Sequence, residues 1–104
     1  MDTQLKKGLL DVCVLSVLRE QPSYGYKIIA DMAPYTAISE STLYPILKRL
    51  EGAGLVTVHS REYNGRLRKY YAVTDAGLAR IDDFLEDMRE VERICALIRD
   101  GGKQ

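Results

Sequence analysis

A chain of 104 residues, 46% of them apolar, has the material for one domain around one core. Fifteen basic side chains balance fifteen acidic ones, so net charge alone argues weakly against a polyanionic partner. The start MDTQLKK is polar and the longest apolar run, Val12 to Leu18 around Ser16, falls far short of the ~20 residues of a membrane span; a cytoplasmic location and no membrane partner are expected.

Taken in chain order, residues 5–21 (LKKGLLDVCVLSVLREQ) carry apolar side chains at helical spacing on more than one face, which predicts a central core helix stopped by Pro22. Ser23 reads as the N-cap of a short second helix, with Tyr26, Ile29 and Met32 or Ala33 inward, ended by Pro34. A third helix starts at Ser39 or Ser41. Its stripe of Leu43, Ile46, Leu47 and Leu50 stops at Gly52-Ala53-Gly54, and Pro45 near its start costs a backbone bond or a bend. Two β-prone runs, residues 55–60 and 67–73, flank Asn64-Gly65, a strong hairpin signal. Thr74 then caps a last helix to about Arg99, and the tail GGKQ is expected to fray.

Three helices, a hairpin and a helix give a mainly α fold with a β-hairpin: a winged helix-turn-helix, residues 1–74, plus a long C-terminal dimerisation helix and tail, residues 75–104, together one structural domain. At ~1.5 Å per residue the last helix would be roughly 37 Å long, against a radius of gyration of about 13 Å for a compact chain of this length. It must project, and its stripe of Ile81, Phe84, Leu85, Met88, Val91, Ile94, Cys95 and Ile98 needs a cover. Burial at roughly 1.5–3 kcal/mol per side chain favours association, with a homodimer as the simplest form and Leu9 and Cys13 of the first helix joining the interface. Charge divides the same way. Residues 1–74 hold ten basic and seven acidic side chains (net +3), and residues 75–104 hold five and eight (net −3).

Three stretches, SYGYKI (23–28), STLYPILKRLEGAGL (41–55) and RLRKYYAVTDAGL (66–78), following the opening LKKGLLDVCVLSVL, together resemble the PadR family over about Leu5 to Ile98. The single C-terminal helix is similar to the short subgroup of that family. The resemblance implies a transcriptional regulator, a repressor responding to a small apolar or aromatic molecule, that binds a double-stranded DNA operator.

The chemistry is arguable from the residues themselves. A helix entering a major groove needs small or polar side chains at its N-terminal end and cations beside the phosphates. Ser39, Ser41, Thr42 and Tyr44 supply the first and Lys48 the second, with Arg49 on either face. Arg61, Arg66, Arg68 and Lys69 put four cations around the tight turn of the wing, and Lys6 and Lys7 start the first helix. About four phosphate contacts per protomer would give a dimer a log–log salt slope of about −7. Tyr24, Tyr26, Tyr70 and Tyr71 read as core or interface aromatics.

Nothing in the inventory reads as enzyme, metal or cofactor chemistry. His59 stands alone, and Cys13 and Cys95 lack ligand spacing and read as small core hydrophobes. The remaining alternative is a winged-helix protein-interaction module without DNA binding. Members of the resembled family that bind drugs stack a tryptophan on the ligand from each last helix, whereas this chain has no Trp and places Met88 at the matching position. An effector pocket would therefore be lined by Leu9, Cys13, Phe84, Leu85 and Met88, or else Met88 fills a closed dimer seam by itself.

Overall fold

A computed structural model describes residues 1–101. The first helix, α1 (Thr3–Val17), starts earlier than the apolar pattern announces, because the Asp2 carboxylate accepts the N–H groups of Gln4 (2.9 Å) and Leu5 (3.2 Å). It also ends four residues before the expected Gln21. Leu18 is fully buried in the core, and the segment after it turns so that Ser23 pairs with Tyr71 through two backbone bonds, Ser23 N–H to the Tyr71 carbonyl at 3.0 Å and the reverse at 2.7 Å.

That pairing corrects the second helix as well. Ser23 belongs to a β-bridge and buries its hydroxyl without a partner, so α2 (Gly25–Met32) takes Tyr24 as its N-cap, with no side-chain cap bond. The inward face is Gly25, Ile28 and Met32; Ala33 is exposed, Ile29 only half-buried, and Tyr26 is 75% exposed rather than inward. Helix α3 (Glu40–Gly52) begins on Ser39, whose hydroxyl accepts the Thr42 N–H, and buries Leu43, Ile46, Leu47 and Leu50.

Strands β1 (Val56–Tyr63) and β2 (Arg66–Val73) are antiparallel, from Val56 opposite Val73 to Tyr63 opposite Arg66. Asn64 and Gly65 both have positive φ, 51° and 77°, as a two-residue hairpin with the favoured twist requires. Pairing carries β1 to Tyr63, three residues beyond the apolar-rich run. Helix α4 (Asp75–Asp100) is capped by Thr74, whose hydroxyl accepts the Gly77 N–H at 3.1 Å and donates to the Gly54 carbonyl at 2.7 Å. One side chain thus fixes the end of α3, the end of the hairpin and the start of α4. Gly101 closes α4 in the left-handed conformation, and the rest of the expected frayed tail lies outside the described residues.

The core joins Leu10, Val14, Leu15 and Leu18 of α1 to Ile28, Met32, Leu43, Leu47 and Leu50, with Val56 and Tyr71 of the hairpin and Ile81 of α4. Beyond Ile81 the last helix leaves the body. The molecule measures 62 × 26 × 21 Å with a radius of gyration of 16.3 Å, well above the ~13 Å of a compact chain of this length. None of the described helices is long and apolar enough to cross a membrane.

Candidate nucleic-acid interface

The N-terminal end of α3 is open, because its apolar stripe faces the core and Ser39, Ser41, Thr42, Tyr44 and Lys48 are left exposed. Two grooves flank it. On one side Lys6 and Lys7 of α1 line a groove with Ser39, Ser41 and Thr42. On the other, Tyr44 lines a cleft with Arg66, Arg68 and Lys69 of the wing and Gly25 and Tyr26 of α2. Lys48 is exposed but lines neither groove. Arg49 also lines the groove with the α1 lysines, but its guanidinium donates to the Asp11 carboxylate and ties α3 to α1.

Strand alternation sorts the wing cations. The register places Arg61, Arg66 and Arg68 on one face with His59, Tyr63 and Tyr70, whereas Lys69 shares the opposite face with Leu67 and Tyr71. On the arginine face two of the three guanidiniums lie over rings. Arg61 lies over Tyr70 at 4.4 Å, and Arg68 lies between Tyr24 at 3.9 Å and Tyr63 at 3.8 Å. Tyr24 also meets Tyr70 edge-on at 5.6 Å, and His59 stacks on Tyr70. The Tyr70 side chain, as a hydrogen-bond partner, holds the Arg68 guanidinium above its ordinary value, so it stays charged. Burial, helped by Tyr44 and Glu51, pushes the Tyr71 hydroxyl up. Tyr71 is thus a core aromatic, but Tyr26 is not, and Tyr24, Tyr63 and Tyr70 are arginine-stacking groups. The alternation R-x-R-x-Y against Y at 63 was available as a period-two signal.

The projected helix bears the other set of residues. Leu85, Val91, Ile94, Cys95 and Ile98 are exposed, with Ile98 at 75%, and Phe84 and Met88 are half-buried. Ile81 is only 2% exposed and belongs to the core of its own protomer, so it anchors α4 and has no surface to offer a second chain. Leu9, Cys13, Phe84 and Leu85 line an apolar groove of about 440 Å³ between α1, α4 and the end of α2; Met88, one turn further out, does not reach it. Cys13 is half-buried and Cys95 exposed, so neither is a full core residue within the protomer.

Burial pushes the Cys13 thiol above its usual value, which shrinks its thiolate fraction near neutral pH. In a Cys95→Ser variant, iodoacetamide should label Cys13 more slowly in native than in urea-unfolded protein. Equal rates by mass spectrometry would contradict the assignment.

A bundle of three helices, a hairpin joined by a bridge to the segment before the second helix, and a third helix with an open polar N-terminus define a winged helix-turn-helix protein. The model of the PadR-like family of transcriptional regulators matches residues 14–83. A PadR-like transcription factor from Bacteroides fragilis has a similar structure, with a TM-score of 0.82 at 30% identity over 92% of this chain and 95% of that one. An uncharacterized protein of Lysinibacillus sphaericus is 31% identical over 100 residues, 91% of this chain and 92% of its own length. Bacillus subtilis PadR, solved in complex with operator DNA, aligns with a TM-score of 0.70 at 27% identity over 74% of this chain but 47% of that one. The chain belongs to the PadR family, whose members are transcriptional regulators and not enzymes.

Proposed function

We propose that this chain is a homodimeric, sequence-specific DNA-binding repressor that recognises a pseudo-palindromic operator and is released by a small apolar or aromatic effector. The observation that carries the reading is the pair of basic flanks on the open end of α3, the α1 lysines on one side and the wing on the other. Thr42 and Tyr44 are the side chains for base edges, and about four of the cations Lys6, Lys7, Lys48, Arg61, Arg66, Arg68 and Lys69 in each protomer neutralise phosphates around them. The uncapped start of α2 adds backbone N–H donors of the kind that hold phosphate. The likeness to a PadR solved on operator DNA supports duplex DNA as the ligand. In this division residues 1–74 contact DNA and residues 75–104 pair the protomers. The apolar groove at Leu9, Cys13, Phe84 and Leu85 supports an effector seat that borders the dimer seam.

Fluorescence anisotropy with random duplex should give salt-dependent binding with a log–log slope of about −7. Arg66→Ala should weaken every duplex alike and lower that slope, whereas Thr42→Ala should change the sequences recovered from a randomised pool. Absence of any salt-dependent binding would make the chain a protein-interaction module instead.

A further inference from the structure

We propose that Tyr24 and Tyr63 are positioning residues for DNA binding, a two-sided aromatic clamp that pre-sets the Arg68 guanidinium for one phosphodiester of the duplex. The inference rests on the wing contacting DNA, as proposed above, and adds how the wing does so. A guanidinium stacked between two ring faces keeps its plane fixed, and of its five N–H donors those that Tyr70 does not engage lie along its edge, in the plane where a phosphate oxygen accepts them. Arg68 meets that description, with its central carbon 3.9 Å from one ring centre and 3.8 Å from the other.

The two jaws come from different parts of the chain. Tyr63 is the diagonal cross-strand neighbour of Arg68 on the same face of the hairpin, since Tyr63 pairs with Arg66 and Arg61 with Arg68. Tyr24 is delivered from outside the hairpin by the backbone bonds between Ser23 and Tyr71, and is itself the N-cap of α2. The clamp therefore fixes Arg68 relative to the helix-turn-helix as well as to the wing. Tyr70 braces the arrangement, with its ring beside Tyr24 and beneath Arg61. An arginine on an unsupported hairpin would lose its rotamer freedom on binding; here that loss is taken during folding.

The consequence separates positioning from contact. Arg68→Ala removes a charge from the interface, so affinity for random duplex should fall and the log–log salt slope should decrease by about one unit per protomer. Tyr63→Leu leaves the charge and removes one jaw. Affinity should fall by about three- to tenfold per protomer, the cost of ordering one long side chain, with the slope unchanged. Tyr63→Phe keeps the ring face and should bind like the wild type. Tyr63 is half exposed near the tip of the wing, so its variants should melt with the parent, and Tyr24→Leu provides the second jaw.

Anisotropy titrations across a salt series, with melting temperatures alongside, measure all of this. Wild-type affinity in both leucine variants, with Arg68→Ala weakened, overturns the clamp and leaves the wing reading standing. Wild-type affinity in Arg68→Ala overturns both. Equal losses in Tyr63→Leu and Tyr63→Phe also overturn the clamp, since the hydroxyl and not the ring would then matter.

Discussion

Leu85→Asp and Ile94→Asp should each convert the protein from dimer to monomer at micromolar concentration and weaken operator binding by about 10²–10⁴-fold, the avidity lost when two half-sites are no longer engaged by one molecule. The protomer gives α4 nothing to pack on beyond its first turns. Ile81 is in the core and Phe84 packs against it, but, the half-buried Met88 apart, the larger apolar side chains further along are open to water. At ~100° per residue, Phe84, Met88, Val91, Cys95 and Ile98 stay within one broad arc, with Leu85 and Ile94 at its two edges and Arg93 opposite Phe84. A second copy of α4, or the partner's groove at Leu9 and Cys13, would cover that arc. A carboxylate placed in it is either left without a partner in an apolar seam or keeps the two chains apart.

Leu85 and Ile94 are about half exposed in the protomer, so the variants should keep their helical circular dichroism. Arg93→Gln, on the far side, should leave the dimer intact. Sedimentation velocity decides the matter: a well-folded wild-type monomer at micromolar concentration ends the dimer proposal.

The elements that were legible in the sequence are those fixed by local chemistry. Asn64-Gly65 could hardly be anything but a hairpin turn, Thr74 announced the cap of α4, and the Leu43, Ile46, Leu47, Leu50 stripe gave the inward face of α3 correctly. Where the reading failed, a long-range contact overrode a local one. Ser23 has the chemistry of an N-cap, but its backbone is claimed by Tyr71, 48 positions away, so the cap falls to Tyr24 and α1 stops early to allow the turn. The inward face of α2 is Gly25, Ile28 and Met32, which leaves Tyr26 in solvent. Lys69 was grouped with Arg66 and Arg68 because they are neighbours in sequence; alternation separates them by one face of the hairpin. The stacking of Arg68 on Tyr24 joins two segments that no periodicity links, and only the fold reveals it.

A glycine-to-alanine change that helix propensity alone would call favourable should be strongly destabilising within the protomer. Gly77 lies in the first turn of α4, where a methyl group would be driven into the backbone carbonyl oxygen of Leu55 and against the Val73 side chain. A flexible side chain could swing aside, but the Leu55 carbonyl is held by the Thr74 N–H at 3.0 Å, beside the Thr74 hydroxyl's bond to Gly54. Relieving the clash means moving the start of α4 away from the end of α3, which breaks the Thr74 junction and unseats Ile81. Overpacking of this kind typically costs about 1–3 kcal/mol and sometimes more. For a domain of this size each kcal/mol lowers the melting temperature by about 4–8 °C, so Gly77→Ala should melt roughly 4–24 °C below the parent. Gly52, at the end of α3, meets no atom within 4 Å and has no positive φ. There the alanine gains helix propensity without a clash, so Gly52→Ala should be neutral or raise stability by up to about 1 kcal/mol. Thermal melts of the two variants measured side by side test the packing argument directly, and equal melting temperatures would refute it.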